Sequence, residues 1–307
     1  MRISTQTLFE SGAAQLGELQ SGLVRTQQQI ASGRRILTPS DDPVGAARAL
    51  EVSQSQSLNT QYGVNRQHAK SSLSAVEGTL SSVTTLLQDV KTTVVAAGNG
   101  ALSDIERGFM ATELRGRFEE LLGLANSRDA MGNYMFSGFQ TTTAPFEETA
   151  IVVGTATIAS AAYQGDQGQR LMQVDATRQM AVSNPGQAVF KDGDQGIFQT
   201  LGALIEQLET PGTTGLTAAL ATANGNVDLA LDNVLTVRAS VGSRLQELDA
   251  LDYAGEDRHI QYSQILSDLQ DLDYNEALTR LSQQEFTLEA AQRSFVTASG
   301  LSLFNFL

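Results

Sequence analysis

Residues 69–94 read AKSSLSAVEGTLSSVTTLLQDVKTTV, with Ala69, Leu73, Val76, Leu80, Val83, Leu87, Val90 and Val94 separated by steps of four and three. Two apolar positions per seven residues make a narrow seam, the kind that mates one long helix with another. Its unbroken length argues for coiled-coil-like pairing over an ordinary amphipathic helix of about three turns. A matching seam lies toward the other end: Val227, Leu231, Val234, then Val241, Leu245, Leu248, then Tyr262, Leu266, Leu269. Its phase also visits Arg238, Asp252, Gly255 and His259, which predicts a loosened or exposed helix around 252–259. Shorter stripes run through Ile105, Phe109, Leu114, Phe118, Leu121 and through Ile197, Leu201, Leu204, Leu208. None of these stripes is wide enough to fold alone, so they must pack on each other.

The two ends of the chain repeat the pattern. Leu16, Leu19, Leu23 and Ile30 form a seam before Gly33, and Tyr274, Leu281, Leu288 and Phe295 fall seven apart near the other end. The last residues, Leu301, Leu303, Phe304, Phe306 and Leu307, are apolar although chain ends normally fray in water. Something must cover them, and a neighbouring subunit is the expected cover. Leu16, Leu19, Leu23, Ile30, Leu281, Leu288, Phe295, Leu303, Phe304, Phe306 and Leu307 are therefore the candidate assembly interface. Thr38-Pro39-Ser40-Asp41-Asp42-Pro43 interrupts the helical pattern. The prolines stop one helix, and Asp42 suits an N-cap with Pro43 at the first helical position of the next. Pro39, Asp42 and Pro43 thus mark a helix restart, either a hinge or a plain helix–turn–helix joint.

Residues 137–195 differ in kind. Thr157–Tyr163 and Leu171–Val174 flank the turn-rich Gln164–Arg170, and Met180 and Val182 continue an alternating pattern. The fold expected is mainly α with a β-rich insertion: a long coiled-coil-like helical bundle formed by the N- and C-terminal segments, carrying a small outer β domain. The expected divisions are terminal arms at 1–43 with 271–307, a central bundle at 44–136 with 196–270, and the insertion at 137–195.

Composition narrows function by exclusion. With no cysteine among 307 residues, disulfide scaffolds and cysteine-ligated zinc are ruled out. A formal charge of −14 opposes phosphate binding, so no nucleic-acid partner is expected. No apolar run reaches the ~18 residues of a membrane span, and Met1–Gln20 lacks the apolar region of a cleaved signal peptide. His68 and His259 have no ligand spacing, and Asp192-Gly193-Asp194-Gln195-Gly196 fails as a calcium loop because Ala203 stands where a bidentate Glu is needed. Paired acids such as Glu119–Glu120 read as solvated charge. No enzyme, cofactor or metal is expected.

Two signatures carry a family resemblance. Gln29-Ile30-Ala31-Ser32-Gly33-Arg34-Arg35-Ile36 with Pro39–Gly45, and Tyr274-Asn275-Glu276-Ala277 with Leu281-Ser282, resemble the terminal signatures of flagellins and their junction proteins. Gly132–Phe139 running to Thr142–Phe146, Tyr163–Arg170 with Gly186 and Val189-Phe190, and Val241–Leu245 are similar to the hook-associated protein 3 group. That resemblance implies a secreted, self-assembling structural subunit at the hook–filament junction of the bacterial flagellum. It implies terminal helices that pack in an inner tube with those of neighbours, and an insertion facing outward. Implied partners are further copies of itself, hook-associated protein 1, flagellin, and an export chaperone on the C-terminal arm. An extracellular location, reached through the flagellar secretion apparatus without a cleaved signal, is implied as well. A filament-forming flagellin is the alternative within the class. An adhesin on a helical stalk is the alternative outside it, and would need exposed aromatics among Phe139, Phe146, Tyr163 and Phe190.

Overall fold

A computed structural model describes residues 5–154, 156–190, 196–212 and 214–300. Seven helices and four strands follow in order: α1 (Thr5–Ser32), α2 (Pro43–Ala97), α3 (Asp104–Ala125), β1 (Phe146–Val153), β2 (Ala156–Tyr163), β3 (Leu171–Asp175), β4 (Arg178–Ala181), α4 (Gly186–Phe190), α5 (Ile197–Glu209), α6 (Leu216–Gln270) and α7 (Tyr274–Gly300). The fold is mainly α with a β-rich insertion. Two compact units divide it, one of Met1–Leu58 with Glu256–Leu307 and one of Asn59–Gly255, with α2 and α6 contributing to each.

In the Asn59–Gly255 unit, every residue of the seam from Ala69 to Val94 is buried. Val227, Val234, Val241 and Leu248 of α6 are buried in the same core. The polar residues that share the α6 seam phase are met by complementary groups on α2. Arg238 donates to Glu77 at 2.7 and 2.9 Å, and Arg66 pairs with Asp252 and donates to Val174 O at 3.1 Å. Asn59 donates to Gly255 O at 2.8 Å, beside which a Cβ on Gly255 would collide with the Arg66 guanidinium. Lys70–Asp249 and Lys91–Asp228 complete a ladder in which α2 numbers fall as α6 numbers rise, so the helices run antiparallel. Helix α6 is continuous through 252–259 rather than loosened there, but most of that stretch is exposed, as the second alternative expected.

Helix α3 corrects the stripe expected from Ile105 and Phe109. Its buried face is Arg107, Ala111, Leu114, Phe118, Leu121 and Ala125, while Ile105 and Phe109 are 72% and 70% exposed. The seam keeps its four–three steps but begins on an arginine. Arg107 can be buried because its guanidinium donates to Leu102 O and Gly212 O and pairs with Asp104.

The insertion holds two antiparallel hairpins. β1 pairs β2 from Phe146↔Tyr163 to Val153↔Ala156, turning at Gly154, whose φ is +65°. β3 pairs β4 with an irregularity between Gln173 and Asp175. Strand β2 lies on α5, where Gly202 faces the Ala159 carbonyl so closely that a Cβ would stand 2.8 Å from the carbonyl carbon. Phe136, Phe146, Tyr163, Phe190, Phe198 and Phe118 form one aromatic chain with ring centroids 5.2–6.1 Å apart. Of the four aromatics that an adhesin surface would need, only Phe139 is exposed. The calcium-like residues 192–195 lie outside the described residues.

Candidate assembly site

The candidate interface falls within the unit that contains α1 and α7. Helices α1 and α7 pack on each other; Leu16, Leu19, Leu23 and Ile30 share one face of α1 by their spacing, and Leu281, Leu288 and Phe295 share one face of α7. Each of these seven is only half-buried. Leu303, Phe304, Phe306 and Leu307 lie outside the described residues. Full burial on the seam goes instead to Thr26, Gln29 and Ala277. Ala277, Leu281, Gln284, Leu288, Ala291 and Phe295 step by four and three, a phase in which small and polar residues were invisible to an apolar count. Tyr274, seven before Leu281, is exposed, with its hydroxyl 3.0 Å from where a Cβ on Gly33 would stand.

Close packing along the seam depends on one α1 glycine, Gly12. Phe295 lies 5.1 Å from the Phe9 ring at a tilted angle and fills the space beside Gly12, where a Cβ would stand 2.7 Å from its ring. Near the middle, Gln284 carries a buried Oε1 that makes no hydrogen bond among the described residues. Away from the seam, Phe286 and Val296 of α7 are 74% and 68% exposed, and Val24 and Leu278 are also exposed. Two helices touch along one face and leave apolar side chains on the others.

Where the arm meets the rest of its unit, the two linkers are bonded to each other. Leu272 N donates to Gly33 O at 3.0 Å, Arg35 N donates to Gln270 O at 2.7 Å, and Arg34 bridges Asp271 in antiparallel fashion. Gln29 Nε2 reaches across to Arg35 O at 2.6 Å, and Arg35 Nη2 donates to Leu269 O at 2.9 Å. Gly33 ends α1 with φ +69°, the left-handed conformation that lets the chain reverse after a helix.

Pro39 is exposed in the turn, and Pro43 is the first residue of α2. Asp42 Oδ1 accepts from Gly45 N at 2.9 Å, the N-cap bond for that helix. Asp41 Oδ2 accepts from Thr38 N at 2.9 Å and Leu37 N at 3.2 Å. The Thr38 N–H holds the Asp41 carboxyl below its ordinary 3.8, aided by Arg25 and opposed by desolvation. The Gly45 N–H does the same for Asp42, with Arg35 adding to it. Asp273 Oδ1 accepts from Asn275 N and Glu276 N and so caps α7. The linker-to-linker bonds were beyond sequence reading; only Gly33 after a helical run signalled a turn.

This arrangement can be set against known proteins. Residues 3–141 match the family described as bacterial flagellin N-terminal helical region. Flagellar hook-associated protein 3 of Salmonella typhimurium is 34% identical over 323 aligned positions, covering 99% of both chains. The chain belongs to the flagellar hook-associated protein 3 family. A solved flagellar hook-associated protein from Vibrio parahaemolyticus shares the fold at 26% identity, with a TM-score of 0.67 over 75% of this chain and all of that one. The phase 1 flagellin of Salmonella naestved matches only 42% of this chain and 26% of its own length. Hook-associated protein 3 therefore accounts for the insertion as well as the ends, whereas that flagellin matches less than half of the chain. Hook-associated protein 3 is a structural flagellar family, and no described helix is long and apolar enough to cross a membrane.

Proposed function

We propose that this chain is the subunit that joins hook to filament, and that α1 and α7 are its assembly arms. The half-buried α1–α7 seam is the observation that carries this reading. Two helices that contact each other without closing a core keep apolar surface for a third and fourth. On this reading the arms at 1–43 and 271–307 pack with those of neighbouring copies, the bundle at 44–136 and 196–270 forms the wall, and 137–195 faces outward. Hook-associated protein 1 meets it on one side and flagellin on the other. A chaperone covers the C-terminal arm before export without a cleaved signal, and the working location is outside the cell. The bonded linkers around Pro39, Asp42 and Pro43 set the angle at which the arms leave the wall.

The test is complementation of a strain lacking the gene. Leu288→Asp places a charge in the seam, and Leu288 is not part of the Asn59–Gly255 unit. Cells carrying it should secrete flagellin monomers and build no filament, while the purified variant keeps its central helical signal. Normal filaments on those cells would remove the arms from the assembly mechanism. Loss of flagellin as an antigen on gene deletion would favour the filament-subunit reading instead.

A further inference from the structure

Two asparagines of the Asn59–Gly255 unit precede glycine, in Asn99-Gly100 and Asn224-Gly225, and the fold treats them in opposite ways. A following glycine matters because, lacking a Cβ, it leaves its amide nitrogen open to the asparagine side chain. Asn99 and Gly100 are exposed in the turn between α2 and α3, with nothing within 4 Å of where a Gly100 Cβ would stand. Asn99 Oδ1 accepts from Ala101 N at 3.1 Å, a bond that curls the side-chain amide over the Gly100 peptide. Among the described residues nothing accepts from the Gly100 N–H. Asn224 and Gly225 lie inside α6, where φ and ψ are fixed and each N–H is committed to the carbonyl four residues before it. Asn224 Oδ1 is buried and receives no hydrogen bond among the described residues. The space beside Gly225 is as open as that beside Gly100, so backbone and hydrogen bonding, not crowding, separate the two sites.

We propose that Asn99 is a site of spontaneous deamidation in the folded chain, and that Asn224 is spared. The Gly100 nitrogen adds to Asn99 Cγ and gives its proton to solvent base, and the side-chain nitrogen leaves as ammonia. The product is a five-membered succinimide. Water then opens either of its carbonyls, leaving aspartate or an isoaspartate whose main chain runs through Cγ. The Ala101 N–H already sits on Oδ1, where negative charge gathers as the nitrogen adds. An oxyanion forming on Asn224 has no such donor, and its attacking nitrogen is held in the helix.

The turn is tied to the core. Leu102 N donates to Asn99 O at 3.1 Å, and Leu102 O accepts from Nη1 of the buried Arg107 at 2.9 Å. Isoaspartate inserts a methylene into the main chain just before Gly100, so the bond from Leu102 to residue 99 cannot keep its register. Arg107 then loses the placement of a carbonyl that allows its burial, and the first turn of α3 loosens. The site stands independently of the flagellar reading.

The test needs only the unmodified full-length protein, aged at mildly alkaline pH and then digested for mass spectrometry. The Asn99 peptide should split into two species, each heavier by the exchange of amide for acid, one of them a substrate for isoaspartyl methyltransferase. The Asn224 peptide should convert roughly 100-fold more slowly, the lower end of what one oxyanion donor is worth. In urea-unfolded chain the two sites should convert at similar rates, which assigns the difference to the fold. Amide exchange over residues 104–107 should accelerate as the folded protein ages, and Asn99→Gln, which must close a larger ring, should show no ageing in either readout. An Asn99 peptide that stays single while both sites convert in unfolded chain, or equal conversion of 99 and 224 in folded chain, would overturn the proposal. Unchanged exchange over 104–107 in fully converted protein would overturn the link to Arg107.

Discussion

Gly202 offers a test in which the structure and helix propensity disagree about sign. It sits inside α5, where alanine ordinarily improves a helix by about 1 kcal/mol over glycine. Here a Cβ would overlap the Ala159 carbonyl oxygen and lie 2.8 Å from its carbon, both backbone atoms of β2. Carbon atoms pack at about 3.5–4.0 Å, so the strand and helix must separate by roughly 1 Å or distort. No rotamer change can relieve a backbone contact, which puts the cost at the upper end of the about 1–3 kcal/mol typical of overpacking. Subtracting the propensity gain leaves a loss of about 2 kcal/mol for Gly202→Ala. Urea unfolding followed by far-ultraviolet circular dichroism should show the midpoint falling by about 1 M at an unchanged slope near 2 kcal/mol/M. Gly116→Ala in α3 is the matched control, because nothing lies within 4 Å of its Cβ position. It should gain about 1 kcal/mol. A Gly202→Ala midpoint equal to or above the parent's would refute the packing of β2 on α5 described here.

Gln284→Leu removes the buried, unpartnered Oε1 and should strengthen the α1–α7 pair by about 1 kcal/mol. Amide exchange in α7 should slow about fivefold, and unchanged or faster exchange would count against it. Residues 1–40 and 272–307 should be cleaved first by protease in the free chain and protected in an assembly; equal resistance with the central unit in dilute solution would sink that expectation. The linker should be sensitive to acid. Asp41 and Asp42 have folded pKa values below their ordinary 3.8, so their stabilisation is complete above 3.8 and is lost as pH falls through the lower folded values. Exchange at Thr38 and Gly45 should accelerate in that window, and Asp42→Ala should remove the response at Gly45.

The sequence made the long helices legible because Ala69 to Val94 repeats without a break and each of its positions proved buried. The restart at Asp42-Pro43 was legible for a local reason: both the cap bond to Gly45 and the proline's fixed φ act within three residues. The α3 phase was misread because Ile105 and Phe109 outweigh Arg107 on any apolar count. The carbonyls of Leu102 and the distant Gly212, together with the Asp104 carboxylate, make that arginine a core residue. No alternation marks β1, since Ala150–Val153 is apolar on both faces. The bonds between the linkers escaped entirely: Arg35 meets Leu269 across 234 positions, and no pattern within either linker announces the other.

One consequence of the α2–α6 ladder concerns load. A heptad seam is indifferent to sliding by seven residues, since leucines and valines recur at that interval. The ion pairs are not indifferent. Moved by one heptad either way, Arg66 would face Leu245 or His259 in place of Asp252, and Glu77 would face Leu231 or Leu245 in place of Arg238. Lys91 would face Ala221 or Leu235, and Lys70 would meet Gly242 or Glu256. Axial shear between the two helices must therefore break several charge pairs together before the apolar seam can find its next resting place. The seam supplies cohesion, and the ladder acts as the detent that stops it from creeping under tension.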